Sequence, residues 1–283
     1  MSGQSRSSAL LRHVRFDEVF VLQGTPLMGV VFSIGTITAG KFETLLLFLV
    51  GSILLVAHVF TLNDWADVAH GFKAPDQVPS RHLFRFSFSL LIASLIVFAL
   101  LGSRVVILGA IIATLGFFYS HPKLDAKSTP IASSIPHLVG GLFHFLLGYA
   151  VFMSIDERGV LIGLFFALAF TAGHLNHEVR DFELDSHNNA RTNAIAFGKR
   201  PAFLAGLLVF SLAYLCLFFL GWLRFIPRPL AFLALLFYPL HLYWSLRALR
   251  GQLNPQIVDR FQIQYRALYA VIGISMLCSL FYQ

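Results

Sequence analysis

The chain is short of charge. Only 12% of its 283 residues are Asp, Glu, Lys or Arg, about half the share of a soluble domain, so most of its surface is not built to face water. Cysteine is scarce too. Cys216 and Cys278 each lie within apolar segments, where they read as small buried side chains and offer no disulfide framework. Period-2 alternation is absent, which argues against a membrane β-barrel. There is no HExxH string, no fixed-period repeat, no low-complexity tract and no soluble second domain, so residues 1–283 are expected to form one membrane domain. The polar opening "MSGQSRSSAL" is followed by no small-residue cleavage pattern, and the first apolar segment is expected to stay as an anchor.

Long apolar runs are what the chain has instead. Hydrophobic residues make up 57% of it, with blocks such as "TLLLFLVGSILLVAHVF" (44–60) and "AFLAGLLVFSLAYLCLFFLGW" (202–222). Crossing the hydrocarbon takes about 20 helical residues, and in lipid the backbone must satisfy its own polar groups. The expected fold is therefore all-α and polytopic. Nine spans are expected, at roughly 18–39, 44–62, 86–102, 104–119, 135–154, 159–176, 202–222, 229–246 and 267–282. With a cytoplasmic N-terminus, 16 of the 21 basic residues fall on inside segments; Lys41, Arg104, Arg158, Arg224 and Arg228 fall outside. The positive-inside rule then places the loops 63–85, 120–134 and 177–201 in the cytoplasm and the C-terminus outside. It also accounts for the net charge of +7 without a nucleic-acid partner.

Those three inside loops are long, whereas the outside connections are short, and the unusual chemistry lies in the long ones. In "NDWADVAHG" (63–71), Asn63 and Asp67 share a helical face if the second span continues inward, with Asp64 about 100° away and His70 three residues beyond Asp67. Carboxylates at a membrane-buried helix end are costly and default to function, against the plainer reading of an interfacial helix cap. In "NHEVRDFELDSHNNARTNAIAFGKR" (176–200), Asp181 and Asp185 are again four apart and would repel on one face. Arg180 and Arg191 could balance them, or a divalent ion; hard oxygen donors favour Mg2+, which commonly bridges one or two carboxylates to phosphate. A solvated charged loop without ligand is the alternative. His174 and His177, with Glu178 nearby, are weak evidence for zinc.

Between these loops lies "YSHPKLDAK" (119–127), in which Tyr119 ends a span, Pro122 stops the helix and Lys123 and Lys127 add positive charge. Two acidic pairs with basic residues nearby make a sensible diphosphate site, and a cavity between helices could take a hydrocarbon tail. Most of the 30 Phe must be lipid-facing packing, yet aromatic faces could also stabilise a developing carbocation.

On these motifs the sequence resembles the UbiA superfamily of intramembrane prenyltransferases, nine-helix Mg2+-dependent enzymes that transfer isoprenoid chains from their diphosphates to mostly aromatic acceptors. The family's NDxxDxxxD motif corresponds to "NDWADVAHG", its DxxxD motif to "DFELD" (181–185), and "YSHPKLDAK" and "NDW" echo the chlorophyll synthase branch. The resemblance implies that Asn63, Asp67, Asp181 and Asp185 organise Mg2+ and diphosphate. It implies that Arg81, Lys127 and Arg191, with Arg15, contact phosphate oxygens, and that Tyr119 stands at the reaction centre. The sequence departs from the pattern at Gly71, where the family's last motif-one aspartate belongs, and Asp64, His70 or Asp76 are the candidate substitutes. The expected activity is prenyl transfer from an isoprenoid diphosphate to a lipophilic or aromatic acceptor in a bacterial inner membrane. A membrane terpene cyclase or another isoprenoid-diphosphate enzyme is the enzymatic alternative; a transporter or scaffold is the non-enzymatic one.

Overall fold

Without water to satisfy them, backbone groups in an apolar chain must bond along the chain itself, and the computed structural model is helical throughout. It describes residues 10–70, 78–121, 123–124, 126–187 and 190–280, with the side chains of His70, Ser128 and Leu280 excepted. Gly71 and Asp76 lie outside the described residues. Among those described there is no strand. The helices are α1 (Phe16–Leu22), α2 (Gly24–Ser33), α3 (Ala39–His70), α4 (Ser80–Ala99), α5 (Ser103–Ser120), α6 (Ser134–Tyr149), α7 (Glu157–Arg180), α8 (Phe182–His187), α9 (Asn193–Phe197), α10 (Lys199–Trp222), α11 (Pro229–Arg250) and α12 (Pro255–Leu280).

Six of these are long and apolar enough to cross a bilayer: α3, α4, α5, α7, α10 and α11. The other three expected spans fall on α1–α2, α6 and α12. The first is split at Gln23, α6 has only 16 residues, and α12 opens with a polar stretch that includes Asp259 and Arg260. Exposed apolar side chains cover the outer faces, among them Leu100 at 71% and Phe232 at 68%. Such a surface suits hydrocarbon rather than water: this is an integral membrane protein.

The chain divides into two compact units. The first comprises residues 1–126 and 143–155. Here α3 packs on α4 through buried polar contacts, His58 Nδ1 lying 2.8 Å from Ser87 Oγ and Ser94 Oγ donating to Gly51 O at 2.8 Å. Pro26 has no N–H for the turn before it, and the helix breaks there into α1 and α2. Gln23 fills the break: its Nε2 donates to Val19 O and its Oε1 accepts from Ser52 Oγ at 2.6 Å. Further along, α2 meets the later part of α6 at Gly29 and Gly148. A side chain at either would collide with the facing carbonyl of Phe145 or Pro26, so only glycine lets the two backbones approach this closely.

The second unit comprises residues 127–142 and 156–283. Its core is α7 against α10, with α11 and α12 closing it. Phe203, Phe210, Val258, Phe261 and Tyr265 are buried together, and Gln262 Nε2 on α12 donates to Asn176 O on α7 at 3.2 Å. Both acidic motifs stand at helix ends, one in each unit.

Candidate functional site

In the first unit, α3 does not stop where its hydropathy does. No proline or glycine intervenes between Leu62 and Gly71, and the helix continues to His70. Asn63 and Asp67 therefore lie one turn apart on one face, as their spacing suggested. Asp67 is buried, and Asn63 is half-buried. Asp64, offset by one position, is fastened from the N-terminal segment. Arg15 Nη2 donates to Asp64 Oδ1, and His13 Nδ1 donates to Asp64 Oδ2 at 3.0 Å. Arg15 also lies over the Phe60 ring, 5.5 Å from its centre, and within 3.6 Å of Glu18. Thus Asp64, a candidate substitute ligand, is already engaged by a guanidinium. Arg15, expected near a diphosphate, spends a donor on Asp64. Tyr119 is half-buried one residue from the end of α5, and Arg81 is exposed in the first turn of α4.

In the second unit, α7 ends at Arg180 and hands over at Asp181 to the short α8. The Asp185 N–H donates to Asp181 O at 2.9 Å, so the two carboxylates are held one turn apart. Arg180 forks onto Asp181, with Nε at 2.7 Å and Nη2 at 2.9 Å from its two oxygens. Asp185 receives less help: burial and the neighbouring Asp181 push its carboxyl up to about 6. A carboxylate that resists ionisation beside a second one is a place where a cation would be stabilised. Lys127, in the 3₁₀ turn Ala126–Ser128, is close enough to pull the other way. Arg191 is exposed on the segment between α8 and α9.

The histidines are committed elsewhere. Arg266 Nη2 lies 2.7 Å from His177 Nε2, the ring of His174 stacks on His137 at 3.6 Å, and His174 Nε2 is 3.1 Å from Glu178 Oε1. Among the described residues no three His, Cys, Asp or Glu side chains converge closely enough to hold a metal between them.

Glu178 and Asn193 are the residues that sequence reasoning undervalued. Glu178 is only 5% exposed. Its Oε2 accepts from the Asn193 backbone N–H at 3.0 Å; its Oε1 accepts from Asn193 Nδ2 at 3.2 Å and Ser133 Oγ at 3.3 Å. Asn193 Oδ1 in turn accepts from the N–H of Ile131 at 2.6 Å, a residue in the left-handed region at φ 66°. One carboxylate and one amide so pin two polar segments, 131–134 and 191–194, to α7 beside the DxxxD motif. The only sequence signal was an acidic residue one turn before Asp181, too common to single out.

Comparison with known proteins agrees with this architecture. A family model described as the UbiA prenyltransferase family matches residues 25–269. Among solved structures, one from work on digeranylgeranylglyceryl phosphate synthase superposes with a TM-score of 0.75 at 15% identity, covering 98% of this chain and 99% of that one. A homologue from Archaeoglobus fulgidus bound to GPP and Mg2+ gives 0.70 at 16% identity, covering 95% and 99%. An apo homologue from Aeropyrum pernix K1 gives 0.64 at 15% identity, covering 92% and 98%. No curated protein sequence matches.

Proposed function

The chain belongs to the UbiA prenyltransferase family, and on that footing we propose that it transfers a prenyl group from an isoprenoid diphosphate to an aromatic acceptor in a Mg2+-dependent reaction. The observation that carries this reading is the pairing of polar residues one turn apart at two helix ends, Asn63 with Asp67 and Asp181 with Asp185. The donor set fits Mg2+. That ion takes hard oxygens, keeps several waters and needs only one or two carboxylates besides substrate phosphate, so pairs suffice where a three-residue protein cluster is absent. Asp185, whose carboxyl burial and Asp181 push up to about 6, has most to gain from a cation. Bound there, Mg2+ would neutralise the charge that builds on diphosphate as it leaves.

The chain's own residues have separate tasks in this proposal. Asn63 with Asp67, and Asp181 with Asp185, would each hold a metal ion; Arg81, Lys127 and Arg191 would take phosphate oxygens through charge-assisted hydrogen bonds. Arg15 acts through Asp64, fixing the end of α3 from which Asn63 and Asp67 project. Tyr119 stands near the allylic carbon. The C–O bond to diphosphate breaks with its electron pair leaving on oxygen. An electron-rich carbon or heteroatom of the acceptor then bonds to the allylic cation, and the acceptor loses a proton. His70 is assigned a minor, water-mediated role at the first metal, with no strong ligand replacing the aspartate missing at Gly71.

The setting is part of the same proposal: nine spans in one membrane domain of a bacterial inner membrane, with the N-terminus and the three long loops cytoplasmic. The test is purified protein with Mg2+ and a ladder of prenyl diphosphates, following diphosphate release with and without aromatic acceptors. Release that requires both a prenyl diphosphate and an acceptor is expected. Release at the same rate without acceptor would replace transfer by cyclisation or hydrolysis, and no release from any donor would sink the enzymatic reading.

A further inference from the structure

At the opposite end of α7 from Asp181, three of the five basic residues on the segments expected to face outside gather around one cavity. It has a volume of about 370 Å3 and is lined by Arg158, Arg224, Phe225, Ile226, Pro227 and Arg228. Arg158 lies in the first turn of α7, and its Nε donates to Phe225 O at 2.9 Å. That bond ties the α7 terminus to the α10–α11 turn and leaves the two Nη groups of the guanidinium for another acceptor. Arg228 is the N-cap residue of α11, and Arg224 stands on the turn after α10 at φ 65°. None of the three arginines forms an ion pair with a described residue.

This arrangement runs against helix electrostatics. Cations are favoured at helix C-termini and disfavoured at N-termini, yet Arg158 and Arg228 each sit at an N-terminus. The nearby acids compensate in part. Asp156 is committed to capping α7, accepting from the N–H of Gly159 at 2.7 Å, and Glu157 is exposed beside it. An anion in the cleft would meet guanidinium forks and two positive helix ends together.

The surroundings indicate which anion. Trp222 and Leu223, just before Arg224, are 62% and 61% exposed, the position of an interfacial aromatic anchor. From Arg228 an apolar stripe runs along α11 through Phe232, Leu235, Leu236 and Tyr243, all more than half exposed. A free phosphate would use only the arginines. An amphiphile would use both, its phosphate in the cleft and its acyl chain along the stripe.

We propose that this cleft binds the phosphate of an anionic membrane phospholipid, on the leaflet opposite the proposed catalytic loops. The test uses the full chain in detergent with three probes: phosphatidylglycerol, phosphatidylcholine and inorganic phosphate. Retained lipid is read by native mass spectrometry, and the lipid-induced shift in thermal-unfolding midpoint gives an apparent affinity. Phosphatidylglycerol should be retained and raise the midpoint more than phosphatidylcholine, and millimolar inorganic phosphate should leave it unchanged. Each Arg→Gln change should weaken the phosphatidylglycerol response about fivefold, in keeping with the worth of one basic residue at a lipid surface. Arg158→Gln with Arg228→Gln should therefore nearly abolish it, while Arg250→Gln, exposed at the opposite end of α11, should not. If the double variant does not fold, exposed Arg228→Gln alone carries the test. An undiminished response in the Arg228 variant, equal responses to both lipids, or a full response to inorganic phosphate alone would overturn the proposal, the last assigning the cleft to a free anion.

Discussion

Glu178 is a buried carboxylate whose hydrogen-bond donors come from Asn193 and Ser133, 15 and 45 residues away in the chain. Changing it to Gln keeps its shape but turns one acceptor oxygen into a donor facing another donor, a mismatch costing about 2 kcal/mol. Glu178→Gln should lower the thermal midpoint and also raise KM for prenyl diphosphate about 10-fold, because the loosened segment carries Arg191. Asn193→Ala should do the same, and unchanged KM in both variants would show that the latch holds structure alone. The acidic pairs were legible in sequence because a spacing of four maps directly onto a helix face. The capture of Asp64 by Arg15 was not, since the partners are 49 residues apart and nothing local marks them as neighbours.

Helix ends show the limits of reading hydropathy. The second span was expected to end at residue 62, but α3 runs to His70 because helix formation needs no hydrophobicity, only the absence of a breaker. For the same reason α4 begins at Ser80 rather than 86, and α12 at Pro255 rather than 267. The α12 start has its own signal: Pro255 follows Asn254, whose Oδ1 accepts from the N–H of Gln256 at 3.0 Å, a capping arrangement. The break at Gln23 has no unambiguous sequence signal, since proline is also tolerated in a first helical turn. A glycine in an apolar span can mark close helix contact. Gly148 does so against Pro26, while a side chain at Gly140 would meet nothing. Gly148→Leu should therefore force α2 and α6 apart and cost at least about 3 kcal/mol, read as loss of a monodisperse peak in detergent. Gly140→Ala should leave that peak intact. Equal behaviour of the two variants would contradict the packing described for α2 and α6.

For the molecule as a whole, composition alone exposed the membrane class, because 12% charge cannot clothe a soluble surface. What composition hides is shape: acceptor identity and tail length depend on a cavity's depth and polar contacts, which no residue string encodes. Topology can be tested on one helix. In a background with Cys216 and Cys278 replaced, Ser186→Cys should be labelled only from the cytoplasmic side and Glu157→Cys only from outside, both positions being exposed. Labelling of both from one side would mean that α7 does not cross the bilayer.

In the proposed reaction the paired polar residues act through Mg2+, which a Mg2+ titration of diphosphate release can test. The parent protein should be silent with chelator present and recover fully on adding Mg2+. Asp67→Asn, Asp181→Asn and Asp185→Asn should each lose at least about 100-fold in rate at moderate Mg2+, since each removes a charged ligand. Near-parental turnover in both Asp181→Asn and Asp185→Asn, or release that persists in chelator, would contradict the account.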